Sequence, residues 1–138
     1  MPVPRTIQEL LDRIYDNRNS GDIDAILQNF TTDCVFRIAG GAGLGTLSTP
    51  ARGEENFRNT LLSLIENWDL SGLKIAHVIH DADSVFVHRT GPIRHIPSNT
   101  IFNSELADLL KLREGKIAEF TEFADTQAIA AIAVLPQP

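Results

Sequence analysis

The order of elements along the chain predicts an α+β fold, with helices covering one face of a largely antiparallel sheet. Three observations carry that prediction. The first half holds helical apolar spacing around Ile7 to Phe30 and again around Phe57 to Trp68. The second half alternates in strand fashion from Leu73 onward. The segment Glu105 to Asp125 reads as two strands meeting at Arg113-Glu114-Gly115.

The chain has 138 residues, a length that one hydrophobic core serves, so a single domain over 1–138 is expected. A formal net charge of -6 with no basic cluster argues against nucleic acid or an anionic membrane as partner. One cysteine, Cys34, cannot close an internal disulfide, so nothing demands an oxidising compartment. No apolar run suits a leader or a membrane span, and the expected location is the cytoplasm.

Thr6-Ile7-Gln8-Glu9 has the pattern of a capping box, and Leu10, Leu11 and Ile14 continue at helical spacing. Gly21 is placed to end this helix, and Asp22 to cap a short second one bearing Ile23, Ile26, Leu27 and Phe30. A first strand is expected over Asp33 to Ile38, then a Gly-rich loop to Arg52. A third helix is expected from Glu54 to Trp68, with Phe57, Leu61, Leu64, Ile65 and Trp68 as its apolar stripe. That stripe is chiefly core, with part of it walling any pocket. Strands are expected at Leu73 to His80 and Ser84 to Thr90, turning at Asp81-Ala82-Asp83. Gly91, Pro92 and Pro97 then interrupt before a long strand from Asn99 to Arg113. Asp125 is positioned to cap a last helix, Thr126 to Ile132, before a frayed tail at Leu135 to Pro138.

The closing hairpin admits two registers. A three-residue loop ending on Gly115 sets Leu112 opposite Lys116. One face then carries Leu106, Asp108, Leu110, Leu112, Ala118, Phe120 and Glu122, and the other Ile117, Glu119, Thr121 and Phe123. A two-residue loop, Glu114-Gly115, flips the second strand and puts Glu122 outside. We take the first register. It places two acids, Asp108 and Glu122, on a face that is otherwise core, with Glu122 opposite Leu106.

Ser20-Gly21-Asp22-Ile23-Asp24-Ala25-Ile26, Phe30-Thr31-Thr32-Asp33, Leu112-Arg113-Glu114-Gly115-Lys116-Ile117 and Glu122-Phe123-Ala124-Asp125 resemble the opening and closing segments of SnoaL-like and ketosteroid isomerase-like proteins, members of the nuclear transport factor 2-like superfamily. The resemblance covers nearly the whole chain. It implies a cone-shaped barrel, with a curved, mostly antiparallel mixed sheet wrapped around three N-terminal helices and a short helix at the end. It also implies a pocket between helices and sheet. Fold alone does not select a chemistry.

In ketosteroid isomerase-like enzymes the basic Asp at the end of the first strand falls on Ile38 here. Their oxyanion-binding Tyr falls on Ile14, with Tyr15 one place away, and their protonated Asp falls on Asp108 if one residue is dropped from the hairpin loop. One of three positions is kept, which argues against steroid isomerisation by that route. The same comparison turns Phe86, His88, Thr90, Phe120 and Glu122 toward the pocket. His88 is then the candidate base. Asp108 among leucines is either a neutral donor to a developing oxyanion or a satisfied structural partner. Glu122 either pairs with His88 or orients a ligand, and Tyr15 lines the pocket.

His77 and His80 alternate to opposite faces of a strand and do not chelate, Cys34 is packing, and His95 is uninformative. Gly40-Gly41-Ala42-Gly43-Leu44-Gly45 lacks the Gly-Lys-Ser/Thr of a phosphate loop and reads as a flap, with Leu44 and Leu47 as contacts. The expectation is a cofactor-free enzyme that isomerises, cyclises or dehydrates a small apolar organic molecule. The alternative is a non-catalytic ligand-binding or dimerisation domain. A homodimer through the outer sheet face, with Leu109, Thr121 and Phe123, fits either.

Overall fold

The computed structural model describes residues 3–40, 44 and 48–133. Helix α1 (Arg5–Ser20) ends at Gly21, whose φ of 76 lets the Asp22 N–H reach the Asn17 carbonyl at 3.0 Å. Its start differs from expectation. Pro4 is the cap, the capping box does not form, and Arg5 pairs with Glu9 across one turn instead. Asp22 caps α2 (Ile23–Leu27) by accepting from the Ala25 N–H at 3.1 Å.

Strand β1 (Phe30–Ala39) starts three residues earlier than its sequence signal and buries Cys34, Phe36 and Ile38. A short β2 (Ala51–Arg52) leads into α3 (Glu54–Asn67), and Trp68 leaves that helix to begin β3 (Trp68–Asp69). Then come β4 (Lys74–His80), β5 (Ser84–His95), β6 (Thr100–Arg113), β7 (Lys116–Phe123) and α4 (Thr126–Ala133). Strand β5 runs on through Gly91-Pro92, where an interruption was expected. Pro92 falls in a stretch flanked only by β6, between the residues that pair with β4 and those that pair with β3. A Cβ on Gly91 would lie 2.4 Å from the Gly72 carbonyl oxygen, so only glycine passes there.

The sheet order is β2-β1-β7-β6-β5-β3, with β4 also on β5. The β1–β7 pairing is parallel and the others are antiparallel. The inner face closes on α1, α2 and α3 around Leu11, Phe57, Val85, Val87, Leu110 and Ile117. Phe30, Phe36, Phe57 and Phe120 stack within it at 4.6–6.1 Å. Helix α4 sets Ile129 and Ile132 against a second cluster of Trp68, Ile93 and Leu106.

The closing hairpin takes the two-residue register at its turn and, beyond a bulge, a register that neither loop predicted. Arg113 pairs with Lys116, so the loop is the two-residue Glu114-Gly115, with φ of 53 and 80. Both residues are left-handed, as a type I′ turn requires. The register then shifts between Lys111 and Leu112, leaving Ala118 as an extra residue. This bulge turns the strand back over. Ile117, expected outside, is fully buried, and Phe120 and Glu122 point inward as expected. Glu122 therefore stands opposite Asp108, not Leu106.

Candidate functional site

Inside the sheet, apolar side chains from every layer enclose a cavity of about 80 Å³, measured as space for the centres of water molecules. That is room for several waters or a small ligand. Its walls include Ile14, Ile38, Phe57, Leu61, Trp68, Leu106 and Phe120, all expected there. Four polar side chains also reach it: Tyr15 and Arg18 from α1, Arg89 from β5 and Glu122 from β7.

Behind them lies Asp108, fully buried on β6. Its Oδ2 accepts from the Arg89 guanidinium at 2.9 Å and from the Tyr15 hydroxyl at 2.7 Å. The Arg89 guanidinium also sits 4.1 Å over the Tyr15 ring. Burial pushes the Asp108 carboxyl above its ordinary range, opposed by Arg89 and the Tyr15 hydroxyl. Burial, and next the Asp108 charge, push the Tyr15 hydroxyl well above 10.0. Tyr15 therefore stays protonated and donates to Asp108. Asp108 is not in the cavity wall. It acts through Arg89 and Tyr15, holding both at the wall, and does not face a ligand.

Glu122 is in the opposite condition. It is half-buried, it lines the cavity, and no hydrogen bond or ion pair holds it among the described residues. Burial first, and then the Asp108 charge across the β6–β7 ladder, push its carboxyl up to about 7, against the pull of Arg89 and Arg18. Such a group exchanges protons near neutral pH.

Three expected site residues lie elsewhere. His88, Phe86 and Thr90 alternate to the outer face of β5, while Val85, Val87 and Arg89 point inward. His88 Nε2 is 2.8 Å from Glu105, and its Nδ1 meets that of His77 at 3.1 Å, all on the exposed side. It is not a pocket base. Both faces of β5 carry apolar residues, so alternation did not set its direction. Asp108 itself held the missing signal, since a buried carboxylate demands a cation, and Arg89 faces Leu106 beside it. Arg18 gave no comparable signal in an otherwise polar helix end.

Leu44 packs into the main core and not on the cavity, whereas Leu47 and the glycines 41, 43 and 45 lie outside the described residues. The tail at 134–138 also lies outside them. Cys34 is fully buried, and burial pushes its thiol up to about 11, in keeping with a packing role. Among the described residues no cluster of three His, Cys, Asp or Glu is placed to hold a metal, and no helix is long and apolar enough to cross a membrane.

A curled sheet closed on helices around an apolar pocket defines a protein of the nuclear transport factor 2-like architecture. Within it, the chain belongs to the SnoaL-like domain family, whose model matches residues 11–120. Solved structures agree on the fold. A nuclear transport factor 2-like protein from Burkholderia pseudomallei K96243 superposes with a TM-score of 0.82 at 11% identity, over 96% of this chain and 100% of that one. A protein from Jannaschia sp. CCS1 titled as a SnoaL-like polyketide cyclase gives 0.77 at 17% identity, over 99% and 97%. TerC, co-crystallised with polyporic acid, gives 0.78 at 19% identity, over 91% and 96%.

Proposed function

We propose that the cavity binds a small, largely apolar organic molecule and that Glu122 moves a proton on it, in an isomerisation, cyclisation or dehydration. The observation that carries this reading is Glu122 itself: a carboxyl with no partner among the described residues, lining an apolar cavity and pushed up to about 7. With its proton off it is a base; with its proton on it is an acid. Charge developing on a substrate oxygen would meet guanidinium N–H groups at the same wall. The ligand held by TerC supports a pocket of this fold taking a small organic molecule.

The test is proton exchange at carbon next to a carbonyl, followed by NMR in D2O over a panel of small cyclic ketones and enones. Wild type should accelerate exchange on at least one member, and Glu122→Gln should lose about 100-fold or more of it. Exchange by Glu122→Gln at the wild-type rate refutes the assignment. Ketones that bind without any exchange favour instead a non-catalytic binding domain, a reading supported by Ile38 standing where isomerase-like relatives carry their base.

In either case a second copy is the proposed cover of the outer sheet face. Ile79, Phe86 and Leu109 fall in one cross-strand row there, and Phe123 lies in the next, with Ile79 67% and Phe123 42% exposed.

A further inference from the structure

The polar wall of the cavity is electrically lopsided. Arg89 has its counter-ion in Asp108. Arg18 has none: no carboxylate lies within ion-pair distance of it among the described residues, and its recorded bonds are to main-chain oxygens. Its Nη2 donates to the Trp68 carbonyl at 2.8 Å and to the Leu64 carbonyl at 3.3 Å. The Leu64 carbonyl lies in the last turn of α3, the Trp68 carbonyl follows that helix at the start of β3, and Arg18 itself sits in the last turn of α1. Two helix C-termini thus favour a positive charge at this point. A purely structural reading, in which Arg18 only ties off α3, accounts for two of the five guanidinium N–H groups. The Nε and Nη1 donors have no protein partner among the described residues, yet they are not among the buried atoms left unsatisfied, as Arg89 Nε is. They retain some exposure, and Arg18 is one of the residues lining the cavity.

We propose that the ligand of this cavity is an organic oxyanion, an apolar body carrying a carboxylate or an enolate-type oxygen, and that Arg18 is its anchor. The inference rests on the reading that this cavity is the ligand site, and it adds the charge class of the ligand and the residue that selects it. The two paired edges of a guanidinium, Nε with Nη2 and Nη1 with Nη2, both include Nη2, which the main-chain oxygens hold, so Nε and Nη1 each offer a single charge-assisted donor to an oxyanion. A desolvated cation without a counter-ion is costly, and an anion delivered by the ligand removes that cost. The charged and titratable groups around the anion are Arg18, Arg89 and its partner Asp108, the Tyr15 hydroxyl and Glu122, with Asp69 farther off and offset by its own partner Arg94. With Glu122 protonated the wall carries one net positive charge; with Glu122 ionised it carries none. Anion binding should therefore strengthen as Glu122 takes up its proton.

The experiment titrates benzoate and its neutral isostere benzamide into the full chain, followed by NMR. The proteins are wild type, Arg18→Met, Arg18→Lys and Glu122→Gln, each at pH 6 and pH 8. Benzoate should bind wild type at pH 6 at least tenfold more tightly than benzamide. Arg18→Met should abolish that preference, and Arg18→Lys should keep part of it. The benzoate affinity of wild type should fall toward pH 8, while that of Glu122→Gln stays level. Equal binding of both compounds to wild type overturns the oxyanion inference and leaves the cavity as a ligand site. An undiminished preference in Arg18→Met shows that Arg18 is not the anchor and likewise overturns it. Should Arg18→Met not fold, wild type and Arg18→Lys still decide through the compound ratio and its pH dependence. Binding of neither compound overturns the cavity reading together with the inference.

Discussion

Glu122→Gln should change how stability depends on pH, and the size of the change follows from the site. In the folded chain the carboxyl is pushed from the ordinary 4.5 to about 7. Between those values the folded chain holds a proton that the unfolded chain has released. Folding is therefore favoured at the acid end of the window, and the advantage disappears as pH rises through about 7. Above that, an ionised Glu122 costs about 3 kcal/mol relative to a glutamate in water, an upper figure because cavity water screens part of the charge. The Gln side chain stays neutral throughout and meets the same cavity.

The quantity to measure is the difference in unfolding free energy between Glu122→Gln and wild type at pH 5 and at pH 8, by urea titration. Any fixed cost of the amide in an apolar wall cancels between the two pH values. The difference should move by about 2–3 kcal/mol in favour of the variant at pH 8. In thermal unfolding this is roughly 10 °C for a chain of 138 residues. Parallel pH profiles for the two proteins would refute the reasoning, since they would mean that Glu122 titrates as it does in water.

The remaining predictions concern its neighbours. Asp108→Asn removes a like charge from Glu122 and frees the charge of Arg89, so the Glu122 titration, read by carboxyl NMR, should move down in pH. Arg89→Met leaves the Asp108 carboxylate buried without its cation and should cost about 3–5 kcal/mol in urea unfolding, much of it recovered in Arg89→Met with Asp108→Leu. Tyr15→Phe removes one donor from the same oxygen and should cost about 1.5–3 kcal/mol. His88→Ala breaks only outer-face contacts, to Glu105 and His77, and should change stability by about 1 kcal/mol or less, with ligand binding and any proton exchange intact. Phe86→Asp with Phe123→Asp should yield a folded monomer by sedimentation equilibrium if the outer face joins two copies.

The parts of this fold legible in the sequence are those governed by local chemistry. Gly21 followed by Asp22 ends one helix and caps the next by short-range bonds. Asp81 turns β4 into β5 by accepting from the Asp83 and Ser84 N–H groups. Asp125 caps α4 in the same way, by accepting from Ala128. What was not legible depends on strand register. Glu114 takes a positive φ that a non-glycine residue seldom adopts, which hides the two-residue turn. The bulge at Ala118 carries no residue signature. The two departures cancel beyond Glu119, so Phe120 and Glu122 face inward while Ile117 and Ala118 exchange roles. On β5 nothing cancels. The choice between Val85-Val87-Arg89 and Phe86-His88-Thr90 turns on whether the arginine or the histidine is buried, and the deciding partner, Asp108, is 19 positions along the chain from Arg89.

Register also sets what surrounds the proposed acid. Ile38, Glu122, Asp108 and Val87 lie in one row across four adjacent strands, each paired with the next. The position where isomerase-like relatives place their carboxylate is thus directly beside Glu122, one strand away and at the same depth. An isoleucine there does more than vacate the position. It adds apolar surface against the Glu122 carboxyl, and burial is the largest influence holding that carboxyl near 7. An acid at position 38 would put a third carboxyl in a row that already holds Glu122 and Asp108, and it would compete with Glu122 for one proton. The apolar residue and the raised acid are two halves of one arrangement, which leaves a single carboxyl at the cavity wall among the described residues.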